Sequence, residues 1–134
     1  MNFKHTGIAG VGSNKEVIVP AGEVWALDWL NAVLVADATV GNRLVMLELR
    51  DDANALFAQF IAGAVQPANN TNTYTFMGGV NRLTTFTNLS MYVPMPNKLV
   101  VPSRWRFRVW DSAAISAAGD TLTVNYQADK VVGN

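Results

Sequence analysis

Short runs of alternating apolar and polar residues recur along this chain, and Gly, Pro and Asn clusters separate them. Glu16–Val19 reads as a short strand that stops at the turn Pro20-Ala21-Gly22-Glu23. Val24–Val35 reads as a longer strand, bent or bulged because its alternation is imperfect. Val40-Gly41-Asn42 turns the chain into Arg43–Arg50, where Val45, Leu47 and Leu49 share a face, and Asp51-Asp52-Ala53-Asn54 turns it again into Leu56–Ile61. A helix over Asp52–Ala64 would also gather Leu56, Phe60 and Ile61, but the hairpin fits better. Past an irregular stretch at 62–72 comes the strand-like Thr73–Met77; a less regular region then passes through Leu83–Phe86 and Leu89–Val93, before Leu99–Val101, Arg104–Trp110 and Thr121–Ala128. Ala113–Ala118 has room for one helical turn, and Met1–Ser13, with Gly7, Gly10 and Gly12, reads as a flexible arm.

One pattern occurs twice. Asn14-Lys15 opens a Val-rich run that Pro20 stops, and Asn97-Lys98 opens another that Pro102 stops. An aromatic residue, Trp25 or Phe107, stands five positions past each proline. These units read as two related hairpins in a two-sheet fold. Short strands at this spacing predict an all-β, jelly-roll-like antiparallel sandwich of about eight strands over 14–134, preceded by the arm at 1–13. Its inner faces should hold Val17, Val19, Trp25, Leu27, Val45, Leu47, Leu49, Phe107, Leu122, Val124 and Tyr126.

Composition adds a surface argument. The 134 residues include only ten basic and ten acidic side chains, with zero net charge, against about 33 charged residues at typical usage. A folded chain of this size exposes about 6,900 Å², or one charge per roughly 340 Å², which points to a surface partly covered by neighbours. Cysteine is absent, so there is no disulfide framework and no thiolate chemistry. No apolar run reaches membrane-spanning length, and Met1–Gly7 lacks the apolar segment of a secretory signal. The sequons at Asn69-Asn70-Thr71 and Asn88-Leu89-Ser90 then read as coincidences of an Asn-rich chain.

Candidate chemistry is sparse. A lone histidine, His5, and three glutamates cannot build a His-rich metal site or a Ser-His-Asp triad. Asp51 and Asp52 lack calcium-loop spacing, and Gly7, Gly10 and Gly12 do not join a strand to a helix as a dinucleotide site requires. No catalytic, metal or cofactor residues are assigned. Asp28 reads as a structural carboxylate bonded to an Arg or a Trp indole, although a hydrolase pairing it with a second acid is the enzymatic alternative. The aromatic residues, including Trp25 and Trp29 on one face, read as core. Arg104, Arg106 and Arg108 alternate with Trp105, Phe107 and Val109, which puts three guanidiniums on one strand face as an interface candidate. Neutral net charge argues against nucleic acid as their partner.

The strand, Pro20-Ala21-Gly22-Glu23, the Trp-bearing strand, Val40-Gly41-Asn42-Arg43, Val93-Pro94-Met95-Pro96 and Ala118-Gly119-Asp120 together resemble small structural proteins of tailed phages. In size and class the chain is similar to the jelly-roll capsid decoration, or cement, proteins. One departure is Ser103-Arg104, where the first unit has Ala21-Gly22. The resemblance implies a non-enzymatic virion protein without cofactor or membrane contact, made in the host cytoplasm and seated on the capsid exterior. Its partners would be the major capsid protein and further copies of itself, as a homodimer or homotrimer. Phe3, Ile8 and Val11 of the arm would then lie against a neighbouring subunit. The alternative is a carbohydrate- or receptor-binding sandwich of a phage tail tip or fibre, using loops around Asn69–Thr73.

Overall fold

A computed structural model describes residues 12–131 and the backbone of residues 2–8 and 132. The described residues form ten strands and no helix: β1 (Asn2–Ile8), β2 (Asn14–Ile18), β3 (Val24–Val35), β4 (Val45–Arg50), β5 (Leu56–Ile61), β6 (Thr71–Met77), β7 (Ser90–Pro94), β8 (Leu99–Val101), β9 (Arg106–Asp111) and β10 (Thr121–Val132). Pairing is nested. β4 pairs β5, β3 pairs β6, β2 pairs β9 and β1 pairs β10, all antiparallel. The chain is thus one long double-stranded ribbon with the Asp51–Asn54 turn at its tip. Wrapping that ribbon adds the pairs β10·β3 and β4·β9, which yields sheets ordered β1-β10-β3-β6-β7 and β2-β9-β4-β5. This winding is a jelly roll. β7, parallel to β6, and β8, paired with the start of β3, extend the larger sheet.

The apolar alternation seals the space between the sheets. Ten of the eleven residues expected inside are buried, and Val17 packs against them half-buried. On β3, Trp25 and Leu27 face inward, and so do Leu30, Ala32 and Leu34. The change of parity comes from a β-bulge at Asp28, opposite Gln127 and Ala128. Trp29 therefore sits beside Met77 and Gln127 on the other face, and does not share Trp25's side as the strand period alone predicts.

Three other expectations change. The two repeated units are corners and not hairpins: β2 pairs β9, β3 pairs β8, and each turn carries the chain from one sheet to the other. The segment expected to be a flexible arm is, over Asn2–Ile8, an edge strand on β10. Backbone pairing with an open sheet edge requires no apolar core of the segment's own. Val11 and the side chains of Phe3 and Ile8 lie outside the described residues. Finally, Ala113–Ala118, which had room for one helical turn, is a run of turns with Ala114 at φ 52°.

Candidate interaction surface

The outer face of the smaller sheet carries a network of paired charge. Glu16, Arg108, Glu48 and Gln59 form one cross-strand row. Glu48 is its centre, buried beneath its partners: it accepts from Arg108 at 2.6 and 3.1 Å, from Arg50 at 3.1 Å and from Gln59 at 3.2 Å. Burial alone would raise its pKa, but bonds from Arg50, Arg108 and Gln59 outweigh burial and hold the carboxyl below its ordinary range. Arg108 also stacks over the Trp110 ring at 3.9 Å. Arg106 bonds Glu16 at 3.2 Å. Strand period thus correctly put Arg106 and Arg108 on one face, yet both are ion-paired within their own chain, although the buried Arg106 Nε has no partner.

The next row toward the turns is different. Ile18, Arg106, Arg50 and Leu56 lie side by side, and its two ends are exposed apolar side chains. Phe57, which is 68% exposed, follows Leu56 on a bulge and meets Trp105 edge-on, with ring centroids 5.0 Å apart. Beside Trp105 stands exposed Arg104, which precedes β9 in a turn and so is not the strand residue the alternation suggested. Its turn, Pro102–Trp105, matches Pro20–Glu23 bond for bond. Glu23 N donates to Pro20 O at 3.2 Å, and Trp105 N donates to Pro102 O at 3.1 Å. Each turn requires a left-handed third residue, φ 84° at Gly22 and 68° at Arg104. Glycine adopts that conformation freely, whereas arginine does so at a cost. The turns also touch, through Gly22 N to Ser103 Oγ at 2.8 Å and Arg104 N to Val19 O at 3.0 Å.

Asp28 is a paired carboxylate, but Lys98 is its partner in place of an Arg or an indole. The Lys98 ammonium bridges Asp28 and Asp129, and those bonds, Asp28's first, raise its pKa. The Trp25 indole donates instead to Glu23 at 2.9 Å. Among the described residues no group of three or more His, Cys, Asp or Glu side chains is placed to hold a metal ion. No helix there is long and apolar enough to cross a membrane.

Sequence reasoning missed the buried polar centre. Arg43 has no exposed surface; it donates to Asp120 at 2.9 and 3.2 Å, to Asp37 at 3.0 Å and to Gly41 O at 2.8 Å. Gln66, equally buried, donates to Leu34 O and Asn70 O and accepts from the Tyr74 hydroxyl, each at 2.8 Å. No spacing in the sequence links Arg43 to a residue in the β9–β10 loop. Between β10 and β7 the larger sheet's outer face is uncharged in its central rows, Asn125-Asn31-Thr75-Tyr92 and Thr123-Val33-Thr73-Ser90. No protein-family model matches this chain, and no curated protein sequence is significantly similar to it.

Proposed function

We propose that this protein is a non-enzymatic decoration protein of a phage capsid, docking on the major capsid protein through the corner formed by Ile18, Leu56, Phe57, Trp105 and Arg104. The observation that carries the reading is Arg104, an exposed arginine in a left-handed turn position that the matching turn fills with Gly22. Strained residues outside the core cluster where function requires the side chain. Around it lie two exposed aliphatic ends, an exposed Phe and a partly buried Trp. Aromatic residues and arginine beside apolar surface are the composition of interface hot spots. The jelly-roll winding, the low charge, the turn motifs that resemble those of small tailed-phage structural proteins and the likeness in size and class to cement proteins support the capsid as partner.

Arg104→Gly separates folding from docking. Removing the left-handed strain should raise stability by about 1 kcal/mol, while attachment to capsids stripped of this protein weakens at least about tenfold. Phe57→Ser should weaken attachment without raising stability. Co-sedimentation and thermal melts measure both quantities. Wild-type attachment by both variants would refute the reading, as would location of the protein on the tail by electron cryo-microscopy.

A further inference from the structure

On the opposite side of the sandwich the structure assigns a second site: a cavity of about 470 Å³ at the β6–β7 end of the larger sheet, shaped for one or two units of a neutral saccharide. Its volume falls within the range of small-molecule sites. Four hydroxyl side chains line it, Thr73, Thr75, Thr87 and Ser90, together with the Tyr92 ring and the apolar Leu83 and Met91. None of these residues is an Asp, Glu, His, Lys or Arg. The nearest charge in the connecting loop, Arg82, lines a separate depression with Gln59, Phe60, Ile61 and Pro94. A lining without formal charge disfavours phosphates, carboxylates and amines, whose desolvation it cannot offset. Hydroxyls both donate and accept, which matches the alternating donors and acceptors of a sugar ring.

Two features make this more than a hollow. Thr75 Oγ1 accepts from Asn31 Nδ2 at 3.2 Å, so its own proton is left to donate to a ligand. Tyr92 is 50% exposed and offers a ring face for the apolar side of a pyranose. The rim is strained as well. Asn88 and Leu89 both have left-handed backbones, φ 51° and 61°, closing a two-residue turn in which Thr87 N donates to Ser90 O at 2.8 Å and Ser90 N to Thr87 O at 3.0 Å. Leucine is poorly suited to that position, and its turn pairs Thr87 with Ser90, two of the residues that line the cavity.

This site is independent of the docking corner, so each can fail alone. The wild-type protein is applied to a glycan array carrying neutral, sialylated and phosphorylated glycans. The best neutral glycan is then titrated into labelled protein while amide and hydroxyl-residue shifts are followed by NMR. The expected result is binding confined to neutral glycans, with shifts at Thr73, Thr75, Ser90 and Tyr92. Tyr92→Ala and Thr75→Val, both checked by thermal melt, should each weaken it about tenfold or more. Arg104→Gly should leave it unchanged. No neutral glycan above background, a preference for charged glycans, or full affinity in the Tyr92 and Thr75 variants would overturn the assignment.

Discussion

Arg43→Met tests how much of this fold depends on one buried cation. The guanidinium joins three segments: its own β3–β4 loop through Gly41 O and Asp37, the β9–β10 loop through Asp120, and the N-terminal crossing, because Gly12 N donates to Asp120 O at 2.7 Å. Asp120 grips it through both oxygens and is itself fully buried. Methionine fills most of the volume but leaves the Asp120 carboxylate with only the Asp37 N–H, at 2.9 Å. Asp37 cannot replace the lost cation, since it is an acid, and its side chain is one-third exposed. Breaking one half of a buried pair in this way costs about 3–5 kcal/mol, a large part of the roughly 5–15 kcal/mol that holds an ordinary domain. An unfolding entropy of about 2.1 cal/mol/K per residue over 134 residues converts that to a melting temperature lower by roughly 11–18 °C.

Tryptophan fluorescence during urea and thermal unfolding reads the loss directly. The double variant Arg43→Met/Asp120→Leu should recover much of it, because well-packed apolar replacements for a buried pair are often neutral. Recovery should stay incomplete, since the Asp37 N–H loses its acceptor. A single-variant loss below about 1 kcal/mol, or a double variant no better than the single, would refute the view that this pair is coupled and desolvated.

Glu48 gives a pH prediction. Its folded pKa lies below the unfolded carboxylate value of about 4.3, so its stabilisation is complete above that value and disappears as pH falls through the folded value. The stability gap between wild type and Glu48→Gln should therefore be largest near neutrality and shrink on acidification; a gap that is flat or widens toward acid would contradict the assignment. Tyr74→Phe strands the Gln66 carbonyl oxygen in the core and should cost about 1–3 kcal/mol in urea unfolding, and a neutral result would mean that Gln66 finds another donor.

What was legible in the sequence follows from which forces are local. Alternation of apolar residues is written directly into β4, β9 and β10, so Val45, Leu47, Phe107, Leu122 and Val124 were placed inside correctly. The irregular pattern of 24–35 announced a bulge but not its position, and that position decides Trp29's face. The two proline-stopped units were visible, but whether such a turn folds a strand back or carries it to the other sheet is a tertiary choice. Asn2–Ile8 shows no pattern because an edge strand bound by its backbone needs none. Arg43 and Asp120 lie 77 residues apart, and nothing local marks a cation destined for burial. At the candidate site, strand period located Arg106 and Arg108, whereas their pairing with Glu16 and Glu48 depends on neighbouring strands.

The repeated turn makes the case for Arg104 sharper than strain alone would. Within one chain, two prolines begin turns with the same hydrogen bond and the same left-handed third residue, and the pair touch each other across the sandwich corner. Folding therefore sets both positions the same backbone requirement, and Gly22 meets it at no steric cost. Nothing lies within contact of a Cβ built at Gly22, so the first turn has open space for a larger residue and is limited only by its backbone angle. The second turn carries an arginine under the same angle, next to Trp105 and Phe57. A folding requirement common to both turns cannot account for that difference, since glycine satisfies it in one of them. What distinguishes the second turn is the exposed apolar surface beside it, and an arginine there would add a bidentate donor at the rim of the proposed contact patch.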